Sequence, residues 1–229
     1  MIEKAKVELD VYANFACFTN PHYKLDRTSY DVPTPSAIRG ILNAVYSKPL
    51  EFYYQVAEIQ ILKPIKFIDI KKNELKNGKI PYNPKKMVSI YRDADGQYTQ
   101  KSNRYLRDVY YRITAYIVKR PDWNGDIQAL VQQFNKRVEK GKCFYQPFMG
   151  TKECVCFFEP VDESVKPVDI TMDLGMCLYD VFDIRENIPL TKENSKDVLK
   201  CTYYNPKIVN GIIRVPSYEE ILEGYKDAR

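Results

Sequence analysis

The chain holds one histidine, one tryptophan and nine glycines in 229 residues. No carboxylates, histidines or cysteines cluster at metal-ligand spacing, so neither a metal nor a cofactor is expected. Six cysteines (Cys17, Cys143, Cys154, Cys156, Cys177, Cys201) do not form a disulfide framework in a chain of this length. Cys154 and Cys156 are the one close pair, and without a matching second pair they predict no zinc site. Reduced, mostly buried thiols are expected instead. No apolar run approaches the length of a membrane span, and Met1 is followed by charged residues rather than a secretory apolar core. The expectation is a cytoplasmic protein without a membrane partner. Charge of one sign is not in large excess either. Lys and Arg number 35 against 30 Asp and Glu, a formal +5 with pI near 8.7. That balance excludes a histone-like polycation and permits nucleic-acid binding if the cations cluster.

Tyrosine is abundant, at 19 residues. Tyr can stack on unpaired bases, but most tyrosines half-bury on strands. Residues 3–12 alternate Val7, Leu9 and Val11 with charged neighbours, the period of a strand. A helix is predicted over 35–47, with Thr34 or Ser36 as cap and Pro35 in the first turn. Its apolar stripe is Ile38, Ile41, Leu42 and Val45, and Arg39, Asn43 and Tyr46 share the other side. Residues 56–70 read as strand with Pro64 as a break, and 71–104 as an irregular, lysine-rich loop. A long strand returns over 105–118. Val109, Tyr111, Ile113, Ala115 and Ile117 should face the core, leaving Asp108, Tyr110, Arg112, Thr114 and Tyr116 on the open face. A helix over 126–140 stops at Gly141, and 151–159 make a last strand. The order strand, helix, strand, strand, helix, strand predicts an α+β, ferredoxin-like βαββαβ domain over 1–160, as in RNA-recognition modules. Residues 161–229 are expected to form a small β-rich extension ending in a charged helix.

RNA binding needs cations for phosphates and flat rings for splayed bases. Tyr23, Lys24, Arg27 and Arg39 supply both types before and within the first helix, and Arg104 and Arg107 add to them from the later strand. The bland alternative for such lysine and arginine runs is a solvated surface.

Several strings carry a family resemblance. ACFTNP, SYDVPTPSAIRGIL and an AVY followed by KP lie between Ala16 and Pro49. ILKPIKF, YLRDVYYRITAY, EKGKCFYQPFMGTKEC, DLGMCLYDV and NGIIRVP follow in order, so the match runs from Cys17 to Pro216. Together they resemble the CRISPR-associated protein of the Dvulg subtype, the pre-crRNA endoribonuclease and Cascade subunit of type I-C systems. The resemblance implies metal-independent cleavage within the CRISPR repeat, by attack of a 2′-hydroxyl on its neighbouring phosphate. It also implies retention of the crRNA 5′ handle and contact with the Cascade backbone and large subunits. The family attributes catalysis to a tyrosine at the end of the first helix, which Tyr46 matches, and to a lysine and a histidine on the long strand. Those two positions fall at Thr114 and Tyr116, and a further position where the family often has histidine is Tyr145. Lys48 or Lys119 could supply the missing cation, and Tyr116 could orient the ribose. His22 is expected to be an exposed loop residue. Asn43, on the Arg39 side of the first helix, and Arg112, on the open face of the long strand, are further candidate RNA contacts, and the resemblance places a glycine-containing loop near bound RNA, which adds Lys140, Lys142 and Lys152. The rival expectation is a non-catalytic subunit that grips the crRNA handle while another protein cuts. The absent histidine points toward it.

Overall fold

A computed structural model of the chain describes residues 3–23, 26–75, 98–181 and 201–227. The elements are β1 (Lys4–Ala16), α1 (Pro35–Val45), β2 (Phe52–Ile61), β3 (Phe67–Leu75), β4 (Tyr98–Lys119), α2 (Ile127–Glu139) and β5 (Phe157–Glu159). They continue with β6 (Met172–Asp173), β7 (Cys177–Val181), β8 (Cys201–Tyr204), β9 (Lys207–Val209), β10 (Ile212–Arg214) and α3 (Tyr218–Asp227). This is a mixed α+β fold on an antiparallel sheet.

The sheet runs β5-β1-β4-β2-β10-β9-β6, and β3 pairs with β4 beyond the end of β2. β4 is its spine. It pairs with β1 along one edge, and with β2 and then β3 along the other. Asp108 takes φ 54° where the β2-paired half of β4 gives way to the β3-paired half. Asp tolerates this left-handed conformation better than most residues. The residue is skipped in the β1 register and ion-paired to Lys63 at 2.7 Å. The N-terminal half of β4, Tyr98 to Arg107, therefore leaves the main sheet as an arm with β3.

The period of two sends Val7, Leu9, Val11, Ile113, Ala115 and Ile117 to one face, where they join Ile38, Ile41 and Leu42 of α1 and Leu130 and Phe134 of α2 in one core. Thr34 caps α1 by accepting from the Ala37 N–H. α2 ends where Gly141 takes φ 58°, with Gly141 N–H donating to Val138 O and Lys142 N–H to Arg137 O. That paired closure satisfies the last carbonyls.

Several expectations are corrected. The stretch 71–104 is not one irregular loop, because β3 runs on to Leu75 and β4 begins at Tyr98; residues 76–97 lie outside the described set. Residues 56–70 are two strands rather than one, with Pro64 in the break. The last strand of the 151–159 stretch is only Phe157–Glu159. The second side of α1 is not open: β7 packs on it, Asn43 is half-buried and Tyr46 is buried. Nor is the far face of β4 open at its centre. Arg112 and Thr114 are both buried: Asp10 and the Asp162 carbonyl hold Arg112, and Thr114 is bonded to Glu8.

Candidate nucleic-acid interface

Tyr46 follows the last residue of α1, and its own N–H closes the helix on Leu42 O. The ring is 3 % exposed, between Phe52 (centroids 5.4 Å apart) and Phe144 (6.4 Å, nearly parallel). Its carbonyl accepts from the Tyr54 hydroxyl at 2.8 Å. Burial pushes the Tyr46 hydroxyl above the usual phenol range, while the Lys48 ammonium beside it pulls back. The hydroxyl therefore stays protonated at neutral pH and suits a donor rather than a base. Lys48 holds Glu51 at 2.9 Å.

Thr114 and Tyr116 do not join this group. Tyr54, which touches Tyr46, pairs with Ile117 on the core side of the sheet, and adjacent strand residues point to opposite faces. Tyr116 thus lies on the far face, paired with Lys6 and Gln55 and under the Lys4 ammonium. Thr114 donates its hydroxyl to Glu8 at 2.8 Å. Lys119 shares the Tyr46 side of the sheet, but its ammonium is 3.0 Å from Glu3 and lies over Trp123. His22 is an exposed loop residue whose ring faces Tyr203. Tyr145 lines an open pocket of about 380 Å³ with Phe18, Ser36, Phe148 and Gly150 at the start of α1.

The sequence missed two neighbours of Tyr46. Arg137, in the last turn of α2, donates from Nε to Val45 O at 2.6 Å. Its guanidinium lies 4.1 Å from the Phe144 ring centroid and 6.0 Å from that of Tyr46. Phe144 N–H donates to Ala44 O, which pins the turn after α2 against the end of α1. That turn also carries Lys140 and Lys142, both exposed. A basic residue in a helix's last turn and an aromatic just past its glycine stop were the available signals.

A second basic group gathers where the β3–β4 arm meets the loop before α1. Arg104 N–H donates to Arg27 O, and Arg27 N–H to Asn103 Oδ1. The Arg104 guanidinium lies 4.4 Å over the Phe67 ring, beside exposed Tyr23 in an open pocket of about 240 Å³. Lys72 pairs in register with Lys101 and holds Glu153 at 3.0 Å, next to exposed Lys152. Arg107 is exposed at the base of the arm, and Lys24 lies outside the described residues.

Two of the expected RNA contacts are engaged elsewhere. Arg39 makes two 2.8 Å bonds to Asp180 of β7, whose side chain is 2 % exposed. Burial works against its charge, but Asp180 outweighs it and holds the guanidinium above its usual range. Arg112 is paired to buried Asp10 in the same bidentate way and donates to Asp162 O. Both cations hold elements together instead of facing solvent.

Residues 7–216 match the family Cas_Cas5d, described as CRISPR-associated protein (Cas_Cas5). The chain belongs to this family. It is 35% identical to the "CRISPR pre-crRNA endoribonuclease Cas5d" of Thermus thermophilus over 228 residues, 95% of each chain. The protein of the same name from Mannheimia succiniciproducens is 31% identical, with 93% of this chain and 96% of that one covered. Two solved structures share the fold. One, titled as a CRISPR-associated protein, has TM-score 0.64, 22% identity and 96% coverage of both chains. The other, a functionally uncharacterized protein from Streptococcus mutans, has TM-score 0.63, 21% identity and coverage of 96% and 97%.

Proposed function

We propose that this Cas5d-family protein is an endoribonuclease that cuts pre-crRNA within the repeat and keeps hold of the crRNA 5′ handle in a type I-C Cascade. The names of the two relatives support the activity. The observation that carries it here is Tyr46, its hydroxyl kept protonated beside Lys48 and its ring 6.0 Å from the Arg137 guanidinium, at the end of α1 against the turn that bears exposed Lys140 and Lys142. In this reading the 2′-hydroxyl oxygen attacks the adjacent phosphorus as its proton passes to solvent, the phosphorus–5′-oxygen bond breaks as Tyr46 protonates the leaving oxygen, the neighbouring cations offset the developing charge, and solvent returns the proton to Tyr46. Thr114 and Tyr116 take no part in that step. The arm cluster of Tyr23, Arg27, Arg104 and Arg107, with Lys152 nearby on the Glu153 turn, grips the repeat.

The same proposal covers the architecture and setting. The order β5-β1-β4-β2, with α1 and α2 on one face, supports a ferredoxin-like unit over 1–160 and an extension over 161–229. A cytoplasmic setting is part of the same proposal; among the described residues no helix is long and apolar enough to cross a membrane. Cascade backbone and large subunits are the expected protein partners.

The test is incubation of the protein with its cognate repeat RNA in EDTA. A single cut leaving a 2′,3′-cyclic phosphate is expected, lost in Tyr46→Phe while RNA affinity and Tm change little. Inhibition by chelator with rescue by Mg²⁺ would overturn the mechanism. Tight binding with no cut by the wild type would favour the handle-gripping subunit, which the presence of a single histidine, His22 in an exposed loop, also supports.

A further inference from the structure

We infer that Phe144 and Arg137 form a nucleotide subsite, with Phe144 stacking on an unpaired base of the RNA and Arg137 holding the adjoining phosphate. The inference rests on the reading of the chain as an RNA-binding Cas5d-family protein and names the site where one nucleotide is taken. Phe144 is 57% exposed, yet it is not loosely held. Its N–H is bonded to Ala44 O at 2.7 Å and its ring is nearly parallel to that of Tyr46. A fixed, open aromatic surface is what a splayed base stacks on.

Arg137 differs from the other arginines of the molecule's interior. Arg39 and Arg112 spend their guanidinium edges on Asp180 and Asp10. Arg137 has no carboxylate partner among the described residues. Its Nε is bonded to the Val45 carbonyl and its plane is held against Phe144. The two Nη groups keep donors in a planar fork, and two oxygens of a phosphate take such donors in pairs. A positive charge fixed in place without a counter-charge among the described residues, touching an exposed ring, matches one nucleotide: a flat base and the phosphate beside it. Lys140 and Lys142 extend the same positive rim along the turn. Tyr46, 6.4 Å from Phe144, would then sit alongside that phosphate.

Affinity for fluorescent repeat RNA, measured by anisotropy in EDTA over a salt series, tests the subsite apart from cleavage. Phe144→Leu is expected to weaken binding about fivefold or more, the scale of one lost base stack. Arg137→Gln should weaken it too and lower the slope of log affinity against log salt by about one. Arg137→Lys should restore that slope without restoring full affinity, because an ammonium lacks the planar fork. Because Arg137 also bonds Val45 O, melting curves accompany each variant. Phe144→Leu, at an exposed ring, decides the matter if Arg137→Gln unfolds. Wild-type affinity and slope in folded Phe144→Leu and Arg137→Gln would overturn the subsite. If Tyr46→Phe then still abolishes cleavage, the nuclease reading stands without it. Absence of a cut by the wild type, with these affinity losses present, sinks the nuclease and keeps the subsite. No binding of repeat RNA by the wild type overturns both.

Discussion

Glu153 sits where three parts of the chain meet. Its carboxylate faces Lys72 at 3.0 Å, Arg27 at 3.9 Å and the Tyr105 hydroxyl at 3.1 Å. Burial pushes this carboxyl up, but a backbone N–H, the Lys72 ammonium and the Tyr105 hydroxyl outweigh it and hold it at about 2. A carboxylate depressed in the folded state stabilises the fold fully above its unfolded value, near 4.5, and loses that contribution as pH falls toward 2. Acid titration of stability should therefore be shallower between those values in Glu153→Gln than in the wild type, read by denaturant midpoints at pH 5, 4 and 3. Parallel curves would show that the carboxylate is not engaged in the folded protein. Gly150, nearby, belongs to the same scale. It holds φ 83°, and a Cβ there would meet the Cys17 carbonyl oxygen at 2.0 Å, so the loop after α2 approaches the end of β1 as only glycine permits.

Among the elements, β4 decides most. Its alternation separates Ile117, on the side of Tyr54 and Tyr46, from Tyr116, on the side of Lys4 and Lys6. An imidazole placed at 116 would titrate near neutral pH, but on the wrong face for the Tyr46 hydroxyl. Tyr116→His is thus expected to leave the single-turnover cleavage rate within about twofold of wild type from pH 6 to 8. A gain of tenfold or more near neutral pH, within the range one general acid or base supplies, would mean that the scissile phosphate reaches the far face. The kink at Asp108 gives β4 its second role. It carries the strand out of the sheet into the arm, where Arg104 and Lys101 meet Lys72 and Arg27.

Across the whole molecule, chain ends far apart in sequence are tied through buried ion pairs. Arg39 of α1 and Asp180 of β7 join the first helix to the C-terminal strands, with 29% and 2% of their side chains exposed. Breaking such a pair by removing one partner leaves an uncompensated buried charge and typically costs about 3 kcal/mol or more. Arg39→Gln should accordingly lower Tm by roughly 6–12 °C. Arg39→Gln with Asp180→Asn should recover much of the loss, since the stranded charge is gone. Arg104→Glu, by contrast, should leave Tm near wild type and cut RNA affinity steeply at low salt, because its cation is exposed on the arm. Equal losses of Tm from both substitutions would contradict this division between structural and RNA-facing cations.

The local facts were legible in the chain itself. The Thr34–Pro35 start of α1, its Ile38/Ile41/Leu42/Val45 stripe, the Gly141 stop of α2 and the two-residue period of β4 are set by cap chemistry and side-chain spacing within a few residues. The ordered strings that mark the family were equally plain, and the match over 7–216 agrees with them. Which cation is free was decided only by the tertiary structure. Arg39, Arg112 and Arg104 look alike as sequence, and their fates depend on whether a carboxylate from a distant segment, Asp180 or Asp10, is folded against them. The same holds for the company Tyr46 keeps. Arg137 and Phe144 lie about 90 and about 100 residues downstream, and the bond from Phe144 to Ala44 and that from Arg137 to Val45 bring them beside it. Burial of a charge is affordable only with its partner in place, and partners that distant are chosen by the packing of α2 and β7 on α1 rather than by any local pattern.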